Sequence, residues 1–257
     1  MDSFFSLLNN AVLLLALVVI FDAVRIQHFA STQYKSILSG IFIGIIAISV
    51  MSNPWELRPG VFFDARWILL SLSGLFFGFI PTLIATILAI SFRLYLGGDG
   101  VYVGSVIIVT SALLGLTWRY WLIQSHHTLN WKNILAMSVV VELLVIGCLL
   151  LMPIDDRYNI ISTISPTLLS VFTAMSFLLG LLLKHRIDSQ KLAQELARHQ
   201  QLLETEKNLL QNIIDGIPDL IFYKSTDGKY LGCNKAFVKE LSLPMDKIKN
   251  HTDHDLF

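Results

Sequence analysis

Charged side chains are scarce in this sequence, and the scarcity is confined to one part of it. Asp, Glu, Lys and Arg make up 15% of the 257 residues, whereas 54% are hydrophobic. A soluble domain carries a larger charged fraction than this. The apolar residues fill positions 4–183, and Lys, Gln, Glu, His and Arg dominate afterwards. We therefore expect an integral membrane region followed by a polar tail.

Other absences narrow the function. The 19 basic and 19 acidic residues balance, so no excess of positive charge attracts nucleic acid. The two cysteines, Cys148 and Cys233, lack metal-ligand spacing. The motifs HExxH and GxSxG, a P-loop and a dinucleotide fingerprint are all missing. The sequence therefore predicts no catalytic residue, no metal site and no nucleic-acid partner, and no residue tells whether a cofactor is bound.

Seven apolar runs predict an all-α polytopic membrane bundle. A helix needs about 20 apolar residues to cross the bilayer, and the runs 66–80 and 81–96 fall short. Pro81 removes a backbone donor, and Gly74 and Gly78 weaken the helix before it. We expect five crossings plus a short helix pair broken near Pro81, or equivalently seven helices; a single kinked helix is the alternative. The runs are 4–24, 36–52, 66–80, 81–96, 101–123, 132–152 and 161–184.

Loop charges predict the orientation. With the polar tail placed in the cytoplasm, the basic loop that holds Arg119 and Lys132 lies inside and "LGGDG" lies outside, as the positive-inside rule requires. If residues 66–96 fold back as a pair, the loop with Arg25 and Lys35 also lies inside. A single crossing would place that loop outside. The charge bias therefore favours the pair.

Ionisable side chains cluster at the outer end of that pair. Such residues at membrane depth face the protein interior or a water-filled cavity. Two guanidinium groups suit a carboxylate or phosphate, an aspartate two residues from an arginine holds it, and glycines let backbone amides approach a ligand. The alternative is that the arginines snorkel to the headgroups and the aspartate caps a helix. The candidate ligand-binding residues are Asp64, Arg66, Arg93, Gly97, Gly98 and Gly100.

Glu142 is a further ionisable residue inside an apolar run, "VVVELLVIG". Three interpretations are open: a proton site, an ion-pair partner for one of the arginines, or a hydrogen bond to another helix.

The polar tail begins as a helix without Pro or Gly. Leu196, Leu203 and Leu210 recur every seven residues, which predicts a coiled-coil seam and a homodimer through residues 185–214. A polar helix that covers another domain is the alternative. The runs "DLIFYK" and "KYLGCN" then flank the turn "STDG", which predicts a β-hairpin that leads into a helix.

Two resemblances follow from these motifs. The segment "IPDLIFYKSTDGKYLGCNKAF" resembles the opening of a PAS domain, although the remaining residues are too few for the later strands. Residues 25–185, with the D-x-R element of "FFDAR" and the L-G-G-x-G element of "LGGDG", resemble the 5TM receptor domain of the LytS-YhcK type. This resemblance implies a bacterial sensor of small ligands upstream of a histidine kinase or diguanylate cyclase, with the candidate residues at characteristic positions. "FFGFIP" departs from the G-G-P of many relatives, because the proline is kept and a small residue is lost.

The predicted protein is thus a multi-pass receptor of the bacterial inner membrane with a cytoplasmic C-terminus. Residues 1–184 form the sensor for a small anionic, carboxylate-like ligand, 185–212 a signalling helix, and 213–257 the start of a truncated α/β PAS domain. The output enzyme lies outside this sequence. Two alternatives are a solute transporter with a regulatory tail, and a membrane anchor whose PAS domain does the sensing.

Overall fold

The computed structural model describes residues 2–26, 32–58, 61–98, 100–125, 128–151 and 157–256. The chain divides into two compact units, Met1–Asp188 and Ser189–Phe257. The predicted pairing of loops with membrane faces depends largely on residues 27–31, 126–127 and 152–156, which lie outside the described residues, as does Asp99.

The first unit is a helical bundle with one small β-hairpin. Its elements are α1 (Asp2–Ile26), α2 (Thr32–Ser52), β1 (Trp55–Arg58), β2 (Val61–Phe63), α3 (Arg66–Phe76), α4 (Phe79–Leu96), α5 (Val101–Gln124), α6 (Trp131–Leu149), α7 (Arg157–Thr167), a π-helical turn (Leu168–Phe172) and the beginning of α8 (Thr173–Asp215). The second unit holds the rest of α8, then β3 (Phe222–Lys224), β4 (Tyr230–Cys233), α9 (Lys235–Leu241), α10 (Met245–Ile248) and α11 (Asp253–Leu256).

Five helical segments among the described residues are long and apolar enough to cross a membrane. They are α2, α4, α5, α6 and the continuous helix Ile161–Asp215. Two shorter apolar helices, Asn9–Phe21 within α1 and Arg66–Phe76, bring the number of apolar helices to seven. The predicted all-α polytopic membrane bundle is therefore confirmed.

The predicted break between the two short runs is present, but its cause differs from the prediction. The chain leaves helical geometry at Gly78, whose φ of +88° is readily adopted only by glycine. Pro81 lies in the first turn of α4, where its missing N–H costs nothing. The helix therefore continues through Pro81, and α4 reaches 18 residues, enough to cross, whereas α3 has 11. The pair is unequal rather than two short helices.

The turn of the pair is held by hydrogen bonds. The backbone N–H groups of Phe77 and Gly78 donate to the carbonyl oxygen of Ser73 at 2.9 and 3.3 Å. The hydroxyls of Ser73 and Thr82 lie 3.0 Å apart, and that of Thr82 also donates to the carbonyl oxygen of Gly78 at 2.8 Å. These bonds satisfy backbone groups that lipid cannot satisfy.

α3 is a half-length helix enclosed by protein. All 11 of its residues are buried, and at 1.5 Å per residue it is about 16 Å long, roughly half of the hydrocarbon core. At its C-terminal end, Nη1 of Arg119 donates to the carbonyl oxygens of Leu75 and Phe76 at 2.9 and 3.2 Å. A cation at this end also faces the negative end of the helix dipole. Arg119 thus supplies hydrogen bonds to carbonyl groups that would otherwise lack a partner at the buried end of α3.

Glycines let neighbouring helices approach at backbone distance. A Cβ atom built on Gly115 of α5 would lie 2.0 Å from the carbonyl oxygen of Ser71 in α3. On α2, a Cβ on Gly44 would lie 2.4 Å from Cδ1 of Leu88, and one on Gly40 would lie 2.9 Å from Cβ of Ile84. Small residues at such contacts are typical of membrane helix packing.

The second unit has the predicted strand, turn, strand and helix. β3 and β4 pair antiparallel, and Gly228 in the turn has a φ of +79°. Behind the hairpin lies a small core of Tyr230, Cys233, Phe237 and Ile248. Burial raises the pKa of the Cys233 thiol, so this cysteine stays protonated at neutral pH.

Asn234 joins this hairpin to the end of α8. Its side-chain oxygen accepts from the backbone N–H groups of Ile221 and Phe237, each at 3.1 Å. Its amide nitrogen lies 3.2, 3.0 and 2.8 Å from the carbonyl oxygens of Ile214, Ile217 and Asp219. This fully buried side chain therefore connects the start of β3 and the start of α9 to the end of α8.

Candidate ligand-binding site

The site begins with a buried ion pair at the start of α3. Nη1 of Arg66 lies 2.7 Å from Oδ2 of Asp64, and the backbone N–H of Arg66 donates to Oδ1 at 3.1 Å. The two residues are 8% and 4% exposed. Ala65 is the N-cap residue of α3, and Asp64 before it both accepts from the first N–H of the helix and holds the guanidinium, so the two interpretations of this residue apply together. Arg66 is buried in protein, unlike a snorkelling arginine.

The hairpin of β1 and β2 places this pair. Trp55 of β1 pairs with Phe63, the last residue of β2, and Asp64 follows directly. This hairpin lies between the apolar runs 36–52 and 66–80, where the sequence predicts a loop. β2 is three residues long, too short for alternation of polar and apolar residues to be recognised.

Arg93 reaches the same place from the last turn of α4. A Cβ atom built on Gly104 would lie 2.7 Å from Nε of Arg93 and 3.0 Å from Nη2 of Arg66. One built on Gly100 would lie 3.0 Å from Nη2 of Arg93. Both guanidinium groups therefore lie against the glycine surface at the start of α5. The two arginines share one end of the bundle, so residues 66–96 fold back rather than form one kinked helix.

The two arginines carry unused hydrogen-bond donors. The Nε atoms of Arg66 and Arg93 are buried and have no hydrogen-bond partner within the described ranges. A buried donor without a partner costs about 1–3 kcal/mol. Two guanidinium groups and the single carboxylate of Asp64 leave one net positive charge. A bound carboxylate or phosphate would supply both the missing acceptors and the opposite charge.

The three predicted glycines have different positions. Gly97 and Gly98 have φ values of +69° and +85° and form the turn after α4. A Cβ built on either would have no described atom within 4 Å, so these two reverse the chain and Gly100 contacts the arginine. Gly104 was not among the predicted residues. The spacing of Gly100 and Gly104 in "GVYVG" puts both on one helix face, which is the signal that could have identified it.

Glu142 makes a hydrogen bond to another helix, one of the three interpretations left open. Nε1 of Trp67 lies 3.2 Å from each of its carboxylate oxygens. Glu142 and Trp67 are 0% and 1% exposed. The carboxylate thus faces the residue that follows Arg66, rather than pairing with an arginine.

One of three comparisons with known proteins identifies a family for this chain. The family model described as 5TMR of 5TMR-LYT matches residues 18–186, which include every candidate site residue. Neither the comparison with curated proteins nor that with solved structures found a match. The match extends over more than half of the chain, and the described helices are apolar and long enough to cross a membrane. This chain is a multi-pass membrane protein that belongs to the 5TMR-LYT family of transmembrane sensor domains of signalling proteins.

Proposed function

We propose that this protein senses a small anionic solute, a carboxylate or a similar oxyanion, which binds between Arg66 and Arg93. The observation that carries the proposal is the convergence of both guanidinium groups on Gly104 with buried, unpaired Nε–H groups. Asp64 orients Arg66 and leaves Arg93 to provide the net charge. The planar donor forks of the arginines suit the geometry of a carboxylate.

The ligand enters from the extracytoplasmic side of the bacterial inner membrane, and the C-terminus is cytoplasmic. The signal passes along α8, here the signalling helix of residues 185–212, into residues 213–257, which we take to be the start of a PAS domain. The hairpin followed by the helix α9, which Asn234 caps, supports this assignment. A histidine kinase or diguanylate cyclase would give the response.

Binding is tested on the purified full chain in lipid nanodiscs. The probes are acetate, lactate, pyruvate, succinate, citrate and inorganic phosphate, each compared with chloride at equal ionic strength. A ligand that binds the folded state raises its thermal stability by mass action. We expect at least one oxyanion to raise the unfolding temperature; no shift with any of them would contradict the proposal.

A solute transporter is the second candidate, because broken helices beside buried charges are how transporters build their sites. Proteoliposomes loaded with buffer and exposed to the labelled form of the stabilising anion separate the two. A receptor binds the anion without accumulating it inside, whereas uptake that saturates with concentration would favour the transporter.

Gly104→Ala is expected to weaken anion binding without unfolding the protein. The three atoms nearest to the new methyl group all belong to two flexible side chains: Nε and Cδ of Arg93 at 2.7 and 3.4 Å, and Nη2 of Arg66 at 3.0 Å. The helices can therefore stay in place while the guanidinium groups move. Loss of one charged hydrogen bond, about 1.5–3 kcal/mol, raises Kd by roughly 10- to 150-fold. Isothermal titration calorimetry with the stabilising anion measures the Kd of the wild type and of the variant.

The matched control is Gly147→Ala in α6, where an added Cβ meets no described atom within 4 Å. It should bind like the wild type. Equal affinities for the two variants would contradict the placement of the arginines against Gly104.

We also propose that α8 pairs with a second copy of the chain through residues 185–214. Leu196, Leu203 and Leu210 are 59%, 65% and 57% exposed, and their seven-residue spacing fits a parallel coiled coil. With Cys148 and Cys233 replaced by alanine, Leu203→Cys should form a disulfide-linked dimer under mild oxidation. Gln201→Cys, on the opposite side of the helix, should stay largely monomeric. Equal cross-linking of both variants would contradict this seam.

A further inference from the structure

The half-length helix α3 lies beside α8. A Cβ atom built on Gly180 of α8 would lie 2.5 Å from Cγ2 of Ile134 and 3.5 Å from Cδ2 of Leu72. Gly180 therefore packs tightly against α6, and only the space of about one methyl group separates it from Leu72 of α3. Beside this point, the hydroxyl of Ser138 in α6 donates to that of Ser176 in α8 at 3.1 Å.

Closer to the arginines, Trp67 connects α3 to α6 and to the π-helical turn that precedes α8. Its indole N–H points at both carboxylate oxygens of Glu142 in α6, at 3.2 Å each. Its ring centroid lies 5.3 Å from that of Phe172, with an angle of 36° between the ring planes. Trp67, Glu142 and Phe172 are each at most 1% exposed. One side chain of α3 thus contacts α6 by a hydrogen bond and the segment before α8 by an aromatic contact.

The segment that Trp67 contacts is the irregular part of its helix. Phe172 is the last residue of the π-helical turn, and α8 begins at Thr173. Pro166, just before this turn, has no N–H for the helical ladder. Single π turns inside α-helices occur frequently at functional sites. The backbone of this turn is therefore less constrained than that of a regular helix, and the start of α8 can move together with Phe172.

We infer that Trp67 is the positioning residue through which occupancy of the arginine pocket is transmitted to α8; this rests on the proposed function. Trp67 follows Arg66 directly, so an anion that draws Arg66 toward Arg93 moves the first turn of α3 and Trp67 with it. Because the interior is close-packed, the displacement passes to Glu142 and Phe172. The two states of the pocket then correspond to two positions of the start of α8, which is what a ligand needs in order to bias an equilibrium.

The test measures a distance between two spin labels in the first unit of the full chain. Labels are attached at Leu113→Cys in α5 and Leu178→Cys in α8, both exposed positions, with Cys148 and Cys233 replaced by alanine. Double electron–electron resonance is recorded with and without the anion that stabilises the wild type. We expect the anion to shift the distance in the wild type, and the shift to be lost in Trp67→Leu while the anion still binds.

Two variants separate transmission from general damage. Phe172→Leu leaves α3 intact and should also lose the shift, which covers the case in which Trp67→Leu does not fold. Leu70→Ala removes a fully buried side chain of the same helix and should keep the shift. Glu142→Gln retains an acceptor for the indole and should keep it as well. A full shift in folded Trp67→Leu or Phe172→Leu, with the anion bound, would overturn the inference.

If none of the anions binds, the proposed function fails and transmission is tested by a substitution instead. Asp64→Asn removes the negative charge that holds Arg66 and should itself shift the label distance. The shift should be absent from the double variant Asp64→Asn/Trp67→Leu. Equal distances for the unsubstituted labelled chain and Asp64→Asn, or an equal shift with and without Trp67, would overturn the inference independently.

Discussion

Arg93→Ala is expected to weaken binding of the stabilising anion by roughly 10- to 150-fold, the equivalent of a lost charged hydrogen bond of about 1.5–3 kcal/mol. The fold should survive, since the Nε of this arginine has no described partner that its removal would leave unsatisfied. Calorimetric titration of the wild type and the variant in the same nanodiscs measures the change. Arg93→Lys should restore part of the affinity, because it keeps the charge but loses the planar fork.

Alanine variants of two other arginines provide comparisons for Arg93→Ala. Arg66→Ala should lose affinity and stability together, because breaking a buried ion pair leaves Asp64 uncompensated at a cost of about 3–5 kcal/mol. Arg119→Ala uncaps α3 far from Gly104 and should lower the unfolding temperature with much less effect on affinity. Wild-type affinity in Arg93→Ala would contradict an anion site between the two arginines.

Gly115→Ala is expected to give the largest loss of stability among the glycine variants. The added methyl group would lie 2.0 Å from the carbonyl oxygen of Ser71 and 2.8 Å from its carbonyl carbon, distances that only a separation of α3 from α5 relieves. Overpacking of this kind costs about 1–3 kcal/mol or more. Thermal unfolding of the purified full chain in detergent measures the change.

Gly147→Ala again provides the control. It adds the same methyl group in a membrane helix with no described atom within 4 Å, and replacing a helical glycine by alanine is favourable by up to about 1 kcal/mol. The unfolding temperature should therefore fall for Gly115→Ala and stay level or rise for Gly147→Ala. Equal temperatures would show that α3 and α5 are not packed at backbone distance.

Much of the site could be predicted from the sequence, because charge is costly in a membrane. Asp64, Arg66 and Arg93 stand out in an apolar region, and the positive-inside rule placed them at one end of a folded-back pair. The helical tail and the hairpin around Gly228 followed from periodicity and turn chemistry. These signals are local, so a single sequence is enough to recognise them.

Other features depend on contacts between distant parts of the chain and were missed. Nothing in the sequence indicated which residues Arg119 contacts, although it caps a helix more than 40 residues earlier. Gly104 was passed over because its role is to leave space for two side chains from other helices. Pro81 was given the main role in the break and Gly78 a minor one, whereas the structure reverses these roles. Composition does not tell whether a proline begins a helix or interrupts it.

The enclosure of α3 affects how this sensor domain responds to membranes of different thickness. Helices that face lipid tilt or shift when the thickness of the bilayer changes, because their apolar length must match it. α3 exposes no side chain to lipid and reaches only about halfway across, so its length has nothing to match. The helix that carries Arg66 therefore has no direct contact with lipid through which bilayer thickness could shift it.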